Sequence, residues 1–374
     1  MTTTINNEHK KLNVPNLRFP EFQGEWKEER MADIADLYKG TGISKDQLSV
    51  DGEPCILYGE LYTKYKSETI KEVISKTSID NAKLVRSKAN DVIIPCSGET
   101  AEDIATARCV LKDNILLGGD LNIIRLRGYD GSFISYQLNG KRKYDIAKVA
   151  QGVSVVHLYG EHLKGVKTIN PCLDEQKKIA GLLTLLDERI ATQNKIIDKL
   201  QSLIKGIAYK LFQTARTTKP LLEFAPNITS GTDKSGSGTI PLYGSTGIIG
   251  TVKNASQKGN IVLVARVGTI GTVQYVNEPC GVSDNALIVE AGEMTKYIYH
   301  FLKTYNFARI TSGTTQPLIT ASSLKKAAIP TYDIESQTRI VLCLNGLEKK
   351  LDIAKQYLSE IAVMKQYLLR QMFI

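Results

Sequence analysis

The sequence is poor in the features on which secreted, membrane-spanning and metal-binding proteins depend. Its 374 residues include six cysteines, four histidines and one tryptophan. The cysteines lie far apart and form no Cys-x-x-Cys pair, which favours a reducing compartment over a disulfide-stabilised secreted fold. There is no run of about 18 apolar residues, and the first residues are polar. These absences predict a soluble, cytoplasmic protein.

Motifs of the common nucleotide-using and metal-using enzymes are also missing. The glycine-rich run at 231–239 lacks the lysine that completes a phosphate-binding loop. The scattered histidines have no cysteines or carboxylates at metal-ligand spacing. Glu175-Gln176-Lys177 matches the end of a nuclease motif only superficially and is interpreted as a capped helix start. The Asn/Asp-Pro-Pro-aromatic tetrapeptide of amino-methyltransferases is absent. The chain is therefore predicted to be non-catalytic, with no cofactor or metal of its own.

Two segments show sustained helical periodicity, in which apolar residues step by four and three positions. Each covers about five heptads, which predicts two coiled-coil helices of about 40 residues and roughly 60 Å. The apolar seam consists of Ile179, Leu183, Leu186, Ile190, Ile197, Leu200, Ile340, Leu344, Leu347, Leu351, Leu358 and Ile361. Gln193 and Lys365 are polar positions on this seam. They either fix the register of helix pairing or are tolerated at the surface.

The two helical segments are copies of one another. A shift of 161 residues superimposes them without a gap over about 60 residues. The shift pairs Ile179 with Ile340, Gly152 with Gly313, Leu163 with Leu324, Lys164 with Lys325, Gln176 with Gln337 and Phe212 with Phe373. Because a single register is kept over this length, the pattern indicates an internal duplication.

The segments in front of the helices also match one another once gaps are allowed. Leu57-Tyr58-Gly59 is paired with Leu242-Tyr243-Gly244, 91–94 with 260–263, and 119–124 with 283–288. Their short β-branched runs, separated by Gly and Asn, predict strands and turns. The chain therefore divides into a globule at 1–172, a helix at 173–214, a globule at 215–332 and a helix at 333–374. Residues 216–332 carry +5 of the total net charge of +9.

This organisation, together with Asn16-Leu-Arg-Phe-Pro-Glu-Phe-Gln-Gly-Glu-Trp26, resembles the specificity (S) subunit of type I restriction–modification enzymes. Further sequence motifs similar to those of the family occur at 39–44, 56–62, 244–250, 283–287 and 313–318. The helix start Glu175-Gln-Lys-Lys-Ile179 is similar to that of the family, and Ser336-Gln337-Thr-Arg-Ile340 is its diverged copy, with Ser in place of Glu. The resemblance covers essentially the whole chain.

The resemblance implies an α+β protein with two α/β target-recognition domains in tandem, separated by two long antiparallel coiled-coil helices in a pseudo-two-fold internal repeat. Each domain reads one half of a split site in double-stranded DNA, and the helices act as a ruler of at most about 17 base pairs. The resemblance further implies a complex of this chain with two modification subunits and with restriction subunits. The modification subunits would bind S-adenosylmethionine and methylate adenine, and the restriction subunits, which use ATP and Mg, would cut the DNA. Two departures are a shorter second globule and a first globule with almost no net charge.

Candidate DNA-binding residues in the first globule form two groups. Basic residues interleaved with tyrosines suit a loop that tracks the DNA backbone, although a solvated strand edge is an equal alternative. They are Lys39, Lys45, Tyr58, Tyr62, Lys64 and Lys66. Polar residues in the loop after the strand at 91–95 are candidates for contacts with base edges. They are Ser97, Glu99, Thr100 and Arg108.

Candidates in the second globule occupy the corresponding turns. They are Lys234, Tyr243, Ser245, Arg266, Thr269, Thr314, Thr315 and Gln316. A glutamine side chain suits adenine and an arginine suits guanine. Two other functions remain for the whole chain: a coiled-coil adaptor whose globules bind protein without reading DNA, and an enzyme with its own recognition domains. The missing catalytic motifs argue against the enzyme.

Overall fold

The computed structural model describes residues 12–80, 83–152, 155–313 and 317–374. The described chain forms two compact units. The first comprises the residues up to Gln193 together with Tyr357–Ile374, and the second comprises Asn194–Gln356. Each unit thus contains one globule and a part of both long helices. In the described part of the chain, no helix is long and apolar enough to cross a bilayer.

The first globule is built from short strands and short helices. Strands β1 to β14 are Lys27–Arg30, Ala35–Lys39, Leu48–Ser49, Glu53–Ile56, Thr69–Ile70, Ser75–Thr77, Val85–Arg86, Asp91–Pro95, Ser97–Gly98, Arg108–Val110, Leu116–Leu117, Leu121–Leu126, Val156–His157 and Lys167–Asn170. Helices α1 to α6 are Met31–Ile34, Glu60–Thr63, Ala101–Ile104, Gly131–Asn139, Lys143–Val149 and Gly160–Lys164.

Two five-stranded sheets form the body of the first globule. Their strand orders are β2-β12-β8-β10-β5 and β3-β6-β4-β11-β7. Strand β8 is buried along its whole length, as expected for a central strand, and all of its residues except Asp91 are apolar. Helix α4 covers this sheet, and Asp130 caps its first turn by accepting a hydrogen bond from Phe133 N at 2.8 Å.

The second globule is a smaller version of the first. Strands β15 to β25 are Thr217–Pro220, Thr229–Ser230, Ile240–Tyr243, Ile248–Val252, Ile261–Ala265, Val273–Val276, Gly281–Val282, Ala286–Val289, Thr311–Ser312, Leu318–Ile319 and Ala328–Thr331. Helices α8 and α9 are Thr295–Leu302 and Ala321–Lys325. The sheet β16-β22-β19-β20 repeats the order β2-β12-β8-β10, and β18-β17-β21 is a reduced counterpart of the second sheet.

Two long helices complete the fold, α7 at Leu173–Gln213 and α10 at Ile334–Gln371. In the first unit, Ile179 and Leu183 of α7 share a core with Met372 and Phe373 beyond the end of α10. In the second unit, the end of α7 shares a core with Ile340 near the start of α10. The helices are therefore antiparallel within each unit, and the α+β fold class expected from the sequence is confirmed.

Every residue of the predicted apolar seam is buried or half-buried. Gln193 and Lys365, the two polar positions on the seam, are 9% and 8% exposed. Surface tolerance therefore does not explain them. Lys365 donates to Glu68 and to Asp187 at 2.6 Å each, so a single ammonium group joins α10, α7 and the first globule.

Candidate nucleic-acid interface

In the first unit, several of the predicted DNA-binding residues meet where β4 and β8 end. A cleft of about 560 Å³ is lined by Tyr58, Gly59, Tyr62, Thr63, Ser97, Gly98, Glu99, Asp103 and Val155. A second cleft of about 770 Å³ shares Tyr58, Gly59 and Thr63 with it and adds Lys45, Lys64 and Asp120, among others. We name the lining of these two clefts the first edge. Its groups include tyrosines, carboxylates and lysines.

The wall of the first edge is fixed by internal hydrogen bonds. Tyr62 Oη donates to the carbonyl oxygen of Ser97 at 3.1 Å, which joins α2 to the loop after β8. Burial raises the pKa of the Tyr62 hydroxyl, and the nearby Asp103 raises it further, so this group stays a neutral donor. Gly98 allows the close approach, because a Cβ there would lie 3.2 Å from Tyr62 Oη.

Arg108 supports the first edge from behind. Its Nε and Nη2 donate to Tyr65 O at 3.2 and 3.1 Å, and Nη1 donates to Ala107 O at 2.9 Å. Desolvation by burial lowers the pKa of this guanidinium. Because its donors are used inside the fold, Arg108 holds the 61–65 turn in place, which differs from the base contact that the sequence suggested.

The predicted lysines of the first unit are all exposed, but they differ in what holds them. Lys64 Nζ donates to Glu60 at 2.6 Å and to Ser75 at 2.7 Å. Lys66 Nζ donates to the carbonyl oxygen of Tyr62 at 2.9 Å. Lys39, at the end of β2, and Lys45 have no side-chain bond in the described chain, so their ammonium groups are available to an anionic ligand.

The loop after β8 carries the acidic part of the first edge. Glu99 is exposed, whereas Thr100 accepts from Asp103 N at 3.0 Å and so caps α3. Ser97 Oγ lies 3.4 Å from His157 Nδ1, across the pair β9·β13. Glu99 and Ser97 can accept hydrogen bonds from exocyclic amino groups of bases, and Thr100 is already engaged as a helix cap.

The second unit has a corresponding edge where β17 and β19 end. Gln274 Nε2 donates to Gly244 O at 3.0 Å and to Ser245 O at 3.2 Å, which ties β20 to the turn after β17. Arg266 follows β19 directly and is half-buried, and Thr269 is exposed at the tip of the β19–β20 turn. We name Ser245, Arg266, Thr269 and Gln274 the second edge.

The remaining candidates of the second unit lie at its margin or outside the described residues. Tyr243 Oη donates to Glu278 at 2.8 Å, and burial together with this carboxylate raises the pKa of Tyr243 to about 12. Lys234 is exposed in the β16–β17 connection. Thr314, Thr315 and Gln316 lie outside the described residues. Of this set, Arg266 and Thr269 lie on the turn after β19, and Ser245 lies beside that turn, since a Cβ at Gly268 would be 3.9 Å from Ser245 Oγ.

The two edges are equivalent in backbone geometry. Cys96 N donates to Asp120 O at 2.7 Å, and Cys96 O accepts from Leu158 N at 2.8 Å. Arg266 N and O make the same two bonds, at 3.0 Å each, with partners in the same strands and turns of the second globule. The residues Leu158 and Ile319, which close these bonds, are 161 positions apart. The duplication therefore extends to the hydrogen bonds of each edge.

Sequence reasoning missed several residues of these edges. Asp103, Val155 and Gly98 line the first cleft, and Gln274 braces the second edge. The sequence carried no signal for them, because the register that places Gln274 opposite Leu263, as Arg108 lies opposite Ile93, is defined by the hydrogen bonds between strands. In the described residues, no group of three or more His, Cys, Asp or Glu side chains is arranged to hold a metal ion.

The fold and the two edges define a duplicated α+β protein that carries an edge of equivalent backbone geometry on each globule. The family model for the type I restriction modification DNA specificity domain matches residues 23–202 and 221–363. These two matches cover more than half of the chain, one in each repeat. The chain belongs to this family.

Individual relatives agree with the family. The chain is 28% identical over 197 residues to the type I restriction enzyme MjaVIII specificity subunit of Methanocaldococcus jannaschii. The aligned residues are 52% of this chain and 43% of that protein. The match thus spans less than half of that relative. An S subunit of a type I restriction–modification system from M. genitalium has a similar fold, with a TM-score of 0.71, 20% identity, and coverage of 96% of this chain and 99% of that one.

A second solved structure, which concerns complex assembly and conformational transition of the type I R-M system, contains a chain with a TM-score of 0.54 and 14% identity. The likeness covers 93% of this chain and 97% of that one. At these identities, the two solved structures support the fold alone.

Proposed function

We propose that this chain is the DNA sequence-specificity subunit of a type I restriction–modification complex. In this proposal it reads a bipartite target in double-stranded DNA, and each unit contacts one half-site through its edge. The observation that carries the proposal is the repetition of the edge in both globules, down to the backbone bonds around Cys96 and Arg266. A protein that reads two half-sites needs two equivalent reading surfaces, and this duplicated fold supplies them.

The chemistry of the two edges supports contacts with DNA. Hydroxyl, carboxylate, amide and guanidinium groups are the donors and acceptors that read base edges. Exposed lysines at the margins, such as Lys39, Lys45 and Lys234, suit phosphates. The adaptor function has no comparable support, because an interface with protein does not require edges of equivalent backbone geometry in both globules.

Catalysis belongs to partner subunits in this proposal. Two modification subunits bind S-adenosylmethionine and methylate adenine, and restriction subunits that use ATP and Mg cleave the DNA. This chain directs both activities to the target and holds no cofactor of its own. The two long helices set the distance between the half-sites.

Expression of the chain with its modification subunits, in a host that lacks adenine methylation, tests the proposal. Long-read sequencing should find methylated adenines within a split motif that is absent when the chain is omitted. Tyr58→Ala and Ser245→Ala form a matched pair, because each position is the second residue after the corresponding strand of its globule, β4 or β17. Each variant should alter one half-site and leave the other unchanged. A motif that forms without the chain, or DNA binding by the complex that does not weaken with salt, would refute the proposal.

A further inference from the structure

Arg266 carries a guanidinium group that its own unit does not use. In the described residues, its side chain makes no hydrogen bond and no ion pair, and its Nε is buried without an acceptor. An arginine in a folded protein normally satisfies buried donors with carbonyl or carboxylate oxygens, as Arg108 does in the first unit. A buried donor without a partner is destabilising, so its retention needs another explanation.

The backbone around Arg266 is held from both sides. Its N–H donates to Asn285 O and its carbonyl accepts from Ile319 N, both at 3.0 Å. The following turn is closed by a bond of 3.0 Å from Gly271 N to Ala265 O. Because Nε is buried, the stem of the side chain is enclosed, whereas Nη1 and Nη2 are not among the buried unpartnered atoms. The terminal Nη1 and Nη2 groups, which form a planar fork of donors, are therefore accessible at the end of a side chain whose backbone and stem are held in place.

The first unit has no such group at this place. Its equivalent residue is Cys96, and burial raises the pKa of the Cys96 thiol to about 11, so the side chain is neutral at physiological pH. Nearby, the first edge offers carboxylates and hydroxyls instead, on Glu99, Ser97 and Asp103. The same backbone position thus carries a cationic fork in one unit and a small apolar group in the other.

We propose that Arg266 reads a guanine in the half-site contacted by the second unit, by donating from its fork to the O6 and N7 atoms of that base. This inference rests on the proposed function. A planar fork matches these two acceptors, which lie side by side in the major groove. A phosphate contact would present acceptors of similar chemistry, but the exposed and flexible lysines of the unit, such as Lys234, serve phosphates without a fixed base.

The test compares methylation motifs directed by the complex of this chain with its modification subunits. The variants are Arg266→Ala, which removes the fork, and Arg266→Lys, which keeps the charge but not the fork. Lys258→Ala is the control, because Lys258 is exposed and lies before the opposite end of β19. We expect the wild-type chain to require a guanine at one position, with a preference of roughly ten- to a hundredfold over other bases. Both Arg266 variants should abolish this preference, and Lys258→Ala should keep it.

Other results would overturn the inference and are distinguishable from failure of the proposed function. An unchanged motif with uniformly weaker methylation in Arg266→Ala, restored in Arg266→Lys, would assign Arg266 to a phosphate. A wild-type motif without a responsive guanine would also refute it. If Arg266→Lys, which keeps most of the enclosed stem, lowered the unfolding midpoint of the purified chain, the guanidinium would have a structural role that contradicts its lack of partners. The absence of any chain-dependent motif would instead refute the proposed function itself.

Discussion

The two units attach their globules to the long helices through the same helix position but with different partners. Asp187 in α7 and Glu348 in α10 are related by the shift of 161 residues. In the first unit, Asp187 accepts from Lys365 of the opposite helix, and Lys365 also pairs with Glu68 of the globule. In the second unit, Glu348 pairs with Lys303, which follows α8 of its globule.

The number of elements that the ion pairs join differs between the units because of one residue. The position equivalent to Lys365 is Ile204 in the second unit, so the ion pair there joins the globule to one helix only. In the first unit, Tyr136 also donates to Asp187, at 2.7 Å, whereas its counterpart Tyr297 donates to the backbone oxygen of Pro330. The duplication has therefore preserved the acid on the helix while its partners diverged. We expect a buried lysine that bonds to acids on two other elements to fix the pairing register of the helices in the first unit.

The largest expected effect comes from removing this lysine. Lys365→Met leaves the buried carboxylates of Glu68 and Asp187 without their cation, which should destabilise the first unit by about 3–5 kcal/mol. Burial already raises the pKa of Glu68 against the charge of Lys365, so the variant should favour a protonated Glu68. Urea unfolding followed by hydrogen exchange of peptides from each unit measures the loss.

The matched control lies in the second unit at the equivalent position. Ile204→Met changes an apolar residue for another of similar volume and should cost less than about 1.5 kcal/mol. If Lys365→Met were no more destabilising than Ile204→Met, the comparison between a polar and an apolar helix contact would fail.

The starts of the two helices show a second divergence. In the first unit, both carboxylate oxygens of Glu175 accept from Arg18, at 2.8 Å each, so Glu175 binds the segment at 12–26 rather than capping the helix. In the second unit, the equivalent residue is Ser336, whose N–H donates to Asp333 at 2.8 Å. Here β15 follows α7 after three residues, which leaves no room for a segment such as 12–26. The substitution of Ser for Glu therefore follows from the absence of a partner.

Arg18→Ala should have the next largest effect. Glu175 is fully buried, so loss of two charge-assisted hydrogen bonds should cost about 2–3 kcal/mol. Adding Glu175→Ser to Arg18→Ala introduces the residue of the second copy and removes the unpaired charge. The double variant should thus be more stable than Arg18→Ala alone, by chemical denaturation. Equal stability of the two variants would show that the buried charge is not what the arginine compensates.

The sequence predicted the long helices well because their signal is local and periodic. The observed helices are Leu173–Gln213 and Ile334–Gln371, where the periodicity predicts 173–214 and 333–374. Pairs found by the ungapped shift also hold in the structure. Gln176 and Gln337, for example, each donate to the backbone oxygen five residues earlier, at 2.9 and 2.8 Å.

The gapped matches between the globules were less accurate. Leu57 was paired with Leu242, but the strand register and the bonds Gly118 N to Ile56 O and Ser283 N to Tyr243 O make Ile56 the counterpart of Tyr243. The alignment from the sequence is thus displaced by two residues from the structural equivalence. Loops of unequal length separate these strands, and only the hydrogen bonds between strands define which residues are equivalent.

Contacts between residues distant in sequence could not be predicted. Lys365 and Glu68 are 297 positions apart, so the sequence alone left open whether this lysine was buried or tolerated at the surface. Likewise, Arg108 was a candidate for reading bases until its bonds to Tyr65 and Ala107 placed it behind the first edge. Residue type and local pattern limit the possible roles, whereas the partner decides among them.

A third difference between the units concerns proton binding. His300 in α8 is 3% exposed, and its Nε2 lies 2.9 Å from Asn345 Oδ1. The equivalent residue of the first unit is Asn139, which makes two bonds of 2.8 Å with the backbone of Ala107 and does not titrate. Desolvation by burial lowers the pKa of His300, and this outweighs the opposing effect of Asn345 and Glu348; Lys303 and Lys296 add to the lowering.

The smallest expected effect is therefore a loss of stability on acidification that is confined to the second unit. Because the folded-state pKa of His300 lies below the unfolded value of 6.5, the unfolded state binds more protons between these two values. The contribution of the neutral imidazole is complete above about pH 6.5 and is lost as the pH falls toward the folded-state pKa, by at most about 1.4 kcal/mol per pH unit. Hydrogen exchange of each unit at pH 7 and pH 5 should show this loss in the second unit. In His300→Asn, which installs the residue of the first unit, the loss in the second unit should disappear; a persistent loss there would place the titrating group elsewhere.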